Sequence, residues 1–156
     1  IELGKPAALP TGNQPITVMA WVKSRAPNGV VVARGGAFCG YSLYIKDGLP
    51  KFGTKRTQED PGPAIAAGTS PVVGEWAHLA GVIGEDRVEL YVNGKLAGTA
   101  KTAGPLPGNC GQGMEIGFDA GNSAIEICDH FDGAIDEVKV FQEALDADAI
   151  AEEIGP

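Results

Sequence analysis

Aromatic residues are scarce in this 156-residue sequence, at 6%, and only two residues are histidine. A platform of stacked rings would be thin. No apolar run approaches the roughly 18 residues of a membrane-crossing helix. Basic residues number 12 against 20 acidic ones, and a net charge of -8 would repel a phosphate backbone. Nucleic acid is therefore not an expected partner, whereas cations are favoured. The three cysteines, Cys39, Cys110 and Cys128, allow one disulfide with one thiol left over, or none. Cytosolic chains carry such thiols too, so cysteine content favours secretion only weakly. No signal peptide is visible, and the abrupt start at Ile1 suggests a mature fragment or an excised domain.

Glycine and proline, at 23 and 11, are abundant, and they punctuate apolar runs instead of clustering. Many turns between many short strands follow, which makes the class all-β. One domain over residues 1–156 is long enough to bury about two thirds of its unfolded surface. Alternation and β-branched content predict strands at Thr17 to Lys23, Val30 to Arg34, Tyr41 to Lys46, Lys51 to Thr54, Trp76 to Ile83, Arg87 to Asn93, Leu96 to Ala100, Met114 to Gly117 and Phe131 to Phe141. In "ITVMAWVK" Val18, Ala20 and Val22 face one way and Met19 and Trp21 the other, so both faces read as largely buried. "YVNGK" marks a hairpin at Asn93-Gly94. Residues 55–75, with three prolines, read as a long exposed loop. In "ALDADAIAEEI" Asp146 can cap a short C-terminal helix, with Leu145 and Ile150 placed as a hydrophobic staple.

Four pieces in order carry a family pattern: "ITVMAWVK" at 16–23, "GEWAHLAGVIGEDRVELYVNGK" at 74–95, "MEIGFD" at 114–119 and "FDGAIDEVKVFQEALDADAI" at 131–150. Together they resemble the laminin G-like, concanavalin A-type jelly-roll superfamily, in the subgroup found as modules of large secreted bacterial proteins. The resemblance implies a two-sheet antiparallel sandwich of about six or seven strands per sheet, ending in the short helix. It also implies a secreted, cell-surface or periplasmic setting, with other domains of a parent chain as neighbours. "WAHLAGV" then reads as a core strand, with His78 satisfied by neighbouring backbone.

The last long strand is expected to leave one sheet for the other at Gly133, where a glycine allows the bend. In relatives of this fold the Asp of the "IDEV" run often binds a structural calcium together with backbone oxygens near the N-terminus and from a glycine-containing loop. The resemblance carries that role to Asp136, with Gly36, Asp129 and Asp132 as companion ligands. The run "DAGNSAIEICDHFDGAIDE" at 119–137 holds six carboxylates and no Lys or Arg, so a cation, or solvent alone at an edge that discourages strand pairing, must relieve it. A second, ligand-bridging ion in the 119–132 loop is also considered. If Val30 to Arg34 runs beside the strand starting at Phe131, "GGAFCG" approaches "EICDHF". That topology implies a Cys39–Cys128 disulfide with Cys110 free, and Cys110–Cys128 is the alternative.

Glycosidases also use this fold, but a retaining pair needs carboxylates about 5 Å apart, at alternate positions along one strand. Glu85, Asp86 and Glu89 have the wrong spacing, and "EICD" separates its acids by three. A non-catalytic binding module is the leading reading, with carbohydrate as ligand and Arg34, Tyr41, Tyr44, Lys46 and His130 as candidate contacts. Tyr41 and Tyr44, three apart, must point to opposite faces of a regular strand. A protein-binding adhesion or docking domain is the second reading.

Overall fold

The computed structural model describes residues 1–9, 12–36, 38–108, 110–121, 123 and 125–155. Among these, one sheet orders its six strands β1 (Glu2–Gly4), β10 (Met114–Ile116), β3 (Gly29–Gly35), β4 (Gly40–Lys46), β5 (Leu49–Lys55) and β6 (Ala64–Ala67). The other orders five: β11 (Gly133–Phe141), β2 (Ile16–Ser24), β7 (Trp76–Ile83), β8 (Arg87–Val92) and β9 (Lys95–Lys101). All ladders within both sheets are antiparallel. The expected jelly-roll sandwich is present, with a five-stranded second sheet.

The inner faces meet over Val18, Ala20, Val22, Leu43, Ile45, Phe52, Leu79 and Leu90. The fit is close at Gly81, where any Cβ would fall on the Phe52 ring from the facing sheet. Met19 alternates to the outside of β2 and is buried there by helix α1 (Ala147–Ile154). Asp146 accepts from the Ala149 amide at 2.9 Å, and Leu145 and Ile150 share the cluster beneath the helix, so cap and staple both form. Asn93 and Gly94 take the two positive φ angles of the predicted hairpin.

Three expectations change. The 55–75 stretch holds β6, an alanine-rich edge strand paired to β5, whose lack of alternation hid it among prolines. The last strand is regular only from Gly133, where it pairs with β2, while Asp129 and Phe131 just before it hydrogen-bond to Val30 of β3 and to Gly117 after β10. The chain thus passes between the sheets at Gly133 and no strand spans both; a Cβ there would run into the Lys23 carbonyl. The irregularity lies further on, between Asp136 and Lys139, where Glu137 takes φ 51°.

The disulfide joins Cys39 to Cys110, with Cα atoms 5.4 Å apart, and Cys128 is free. The expected Cys39–Cys128 pair and the Cys110–Cys128 alternative fail because β3 lies between β10 and β4, not beside β11. Cys39 follows the Gly35 end of β3, whereas Asp129, next to Cys128, accepts from Val30 at the opposite end. Those ends are separated by roughly 20 Å of strand.

Candidate functional site

The outer face of the six-stranded sheet is closed. Val30, Ala33 and Tyr44 point out from it and are covered by Ile125 and Ile127. The Tyr44 hydroxyl donates to Glu126 at 2.7 Å, and Lys46 and Lys51 reach the same carboxylate at 3.3 and 3.0 Å. Burial alone would raise the Glu126 carboxyl, but hydrogen bonds from Tyr44, Lys51 and Lys46 outweigh it and hold it below its ordinary value. Burial first, then Glu126, raises the Tyr44 phenol strongly. Tyr41 points inward to the core, where burial pushes it up to about 12. The two tyrosines do face opposite ways, and neither is available to a ligand.

Arg34 opposes Tyr41 and Met114, both core residues, so it too points inward, and its buried Nε and Nη1 lack partners. His130 stacks on Phe118 with centroids 5.1 Å apart, on the exposed rim. The five candidate contacts therefore do not converge on one groove.

The four residues expected around calcium do not form one site either. Asp136 is exposed on β11 and accepts from the Glu137 amide at 2.8 Å. Asp132 is paired with Arg25 at 2.6 Å, already a cation partner. Asp129 offers its carbonyl to Val30 at one end of β3, while Gly36 lies past the other. Among the described residues no three His, Cys, Asp or Glu side chains are grouped to hold a metal. Asn122 and Ala124, inside the acidic segment, lie outside the described residues.

A different acidic pair is buried. Glu115 and Asp119 are 5% and 7% exposed, and Glu115 Oε2 and Asp119 Oδ1 have no hydrogen-bond partner. Burial, then the charges of Asp119 and Glu2, push Glu115 up to about 6, and burial also raises Asp119.

The outer face of the five-stranded sheet is open beyond the helix. In one cross-strand row Asp136, Trp21 and His78 lie side by side, and in the next come Ala134, Lys23 and Trp76. Cross-strand partners share a face, so both tryptophans of the chain stand on this surface in adjacent strands. Trp76 is 46% exposed, Trp21 is partly covered, and Lys23 and Asp136 are exposed beside them. His78 packs edge-on against Trp21 at 5.4 Å. Its backbone is satisfied by Asn93, but its buried Nδ1 is not, contrary to expectation. Burial first, then Lys139, lowers it to about 4, so at neutral pH it is an uncharged acceptor or donor. Neither tryptophan is among the contacts expected from the sequence. The signal was present in the alternation of "ITVMAWVK", which sends Trp21 away from Val18 and Val22.

The chain is matched over residues 1–151 by the family model of the concanavalin A-like lectin/glucanases superfamily. The chain belongs to this superfamily. The superfamily includes both lectins and glucanases, so membership sets the scaffold and leaves the activity to the site. Among solved structures, a carbohydrate-binding module (CBM40) of the Ruminococcus gnavus IT-sialidase, bound to α2,6-sialyllactose, is 16% identical, with TM-score 0.77, covering 99% of this chain and 93% of that one. A heptameric SAP-like pentraxin from Limulus polyphemus is 20% identical with TM-score 0.67, covering 91% and 70%. Domains LG4-5 of the mouse laminin α1 chain are 18% identical with TM-score 0.70, covering 89% of this chain but only 39% of that one. At these identities the likeness is one of fold. No curated protein sequence matches the chain significantly.

Proposed function

We propose that this superfamily member is a non-catalytic carbohydrate-binding module of a larger secreted or cell-surface protein, and that it binds through the outer face of its five-stranded sheet. The observation that carries this reading is the placement of Trp21 and Trp76 in adjacent strands on the open part of that face. A sugar ring presents an apolar face that stacks on indole, while the exposed Lys23 and Asp136 side chains supply charged groups for hydroxyls. The fold likeness to a carbohydrate-binding module supports the reading without identifying the sugar.

Protein docking is the second reading, favoured by the 46% exposure of Trp76, an apolar ring that a protein partner would also cover. The test is a glycan and polysaccharide array probed with wild type and with Trp76→Ala. Carbohydrate binding that the substitution weakens supports the proposal. Absence of any glycan binding moves the patch to a protein partner.

A further inference from the structure

Arg34 carries a charge into the interior of the sandwich. It stands near the Gly35 end of β3, opposite Met114 of β10 on one side and Tyr41 of β4 on the other, and both neighbours belong to the core between the sheets. Only 7% of the residue is exposed, and its Nε and Nη1 are buried without a hydrogen-bond partner. That end of the sheet is packed: a Cβ on the adjoining Gly35 would come within 3.0 Å of the Cys110 Cβ, beside the disulfide.

A buried charge has three ordinary remedies, and Arg34 has none of them. The first is loss of the proton, which a lysine can undergo and a guanidinium does not. The second is an ion pair, but the ion pairs among the described residues leave Arg34 out. The buried Glu115 stands opposite Ala33, on the outer face of the same sheet, and so points away from it. The third is a neighbour that ionises. The Tyr41 phenol feels the Arg34 charge, yet burial still pushes it up to about 12, so at neutral pH it stays uncharged. Buried water accepts N–H hydrogens but brings no compensating charge.

We propose that Arg34 holds a small inorganic anion, of the size and single charge of chloride, between the two sheets at the Cys39–Cys110 end. One negative charge balances the one guanidinium, and a spherical halide accepts from donors in any direction, which suits N–H groups spread around a planar fork. A carboxylate or phosphate carried by a larger ligand needs an open approach, which a side chain only 7% exposed does not offer. The site lies inside the sandwich, apart from the tryptophan face, and does not depend on a sugar binding there.

The test is thermal unfolding of the disulfide-bonded protein at fixed ionic strength, with sodium gluconate replaced stepwise by sodium bromide, together with diffraction from crystals grown in bromide. Arg34→Met keeps much of the side-chain length without the charge, so it reports the general salt effect. Relative to that variant, wild type gains melting temperature with bromide along a curve that saturates as one site, and anomalous scattering marks one bromide beside the guanidinium. In gluconate Arg34→Met melts no lower than wild type, because it removes an uncompensated buried charge. Arg25→Gln, which removes an exposed arginine paired with Asp132, keeps the wild-type response. The crystals decide the matter even where Arg34→Met fails to fold. The same bromide response in wild type and Arg34→Met overturns the proposal, as does a guanidinium bonded only to water with bromide peaks confined to the surface.

Discussion

Acidification should unfold this protein partly through one histidine. His78 is 2% exposed, its Nδ1 is unpartnered, and its pKa is about 4 against 6.5 because burial, then Lys139, disfavour its charged form. Above pH 6.5 the ring is neutral folded and unfolded, and it contributes nothing to the pH dependence. Between pH 6.5 and 4 the unfolded chain takes up a proton that the native state refuses, so stability falls as pH drops. At about 1.36 kcal/mol for each tenfold change, the loss reaches about 2.5 kcal/mol at pH 4.5 and does not grow once the folded ring also protonates.

Glu115 and Asp119 act in the opposite sense. Their raised values let the native state bind protons first, so stability is gained as pH falls through about 6 for Glu115. The wild-type profile is therefore a net, and His78→Gln isolates the histidine. Urea unfolding at pH 7.5 and 4.5 measures it. The variant should lose about 2.5 kcal/mol less than wild type over that interval, whatever its stability at pH 7.5. Parallel profiles, within about 0.5 kcal/mol, would refute the claim that the buried ring stays neutral.

The Cys39–Cys110 bond closes a loop with a sequence separation of 71, for which chain entropy gives a ceiling of about 4 kcal/mol. Cys39→Ser with Cys110→Ser should lower the unfolding free energy from urea titration by an amount near that ceiling, and thiol titration of denatured, unreduced protein should find the single thiol of Cys128. Gly81→Ala should cost about 2 kcal/mol or more, since its Cβ would meet the Phe52 ring, and a melt showing no loss would refute the close packing of the sheets there. Trp76→Ala should leave the protein folded at a cost of about 1–3 kcal/mol, because about half of a ring of roughly 200 Å² is covered and the rest already faces solvent. A sugar covering one face of that exposed area, roughly 60 Å² at about 25 cal/mol per Å², would lose about 1.5 kcal/mol, or about tenfold in Kd.

The sandwich was legible because strand alternation and turn chemistry are local. Val18, Ala20 and Val22 announce an inner face, Asn93-Gly94 a hairpin, and Asp146 a helix start, each within a few residues. What failed depended on which strands are neighbours. The expected Cys39–Cys128 pair requires β3 beside the last strand, and no local pattern reports that its neighbour is β10. The tyrosines were misjudged as ligand contacts because residues 125–127, distant in sequence, lie over Tyr44. Likewise nothing in "MEIGFD" shows that Glu115 and Asp119 end up buried without partners. The two tryptophans, by contrast, are readable from alternation along β2 and β7.

The most direct test of the binding surface is two-dimensional nitrogen–proton NMR of the labelled protein titrated with a glycan that scores on the array. The chain has two tryptophans, so it has two indole N–H signals. The account predicts that both shift on titration, together with the amides of Lys23, Ala77 and Asp136, while those of Tyr44 and Glu126 stay in place. Shifts confined to residues 118–130, with both indole signals unmoved, would contradict it and place recognition over the six-stranded sheet.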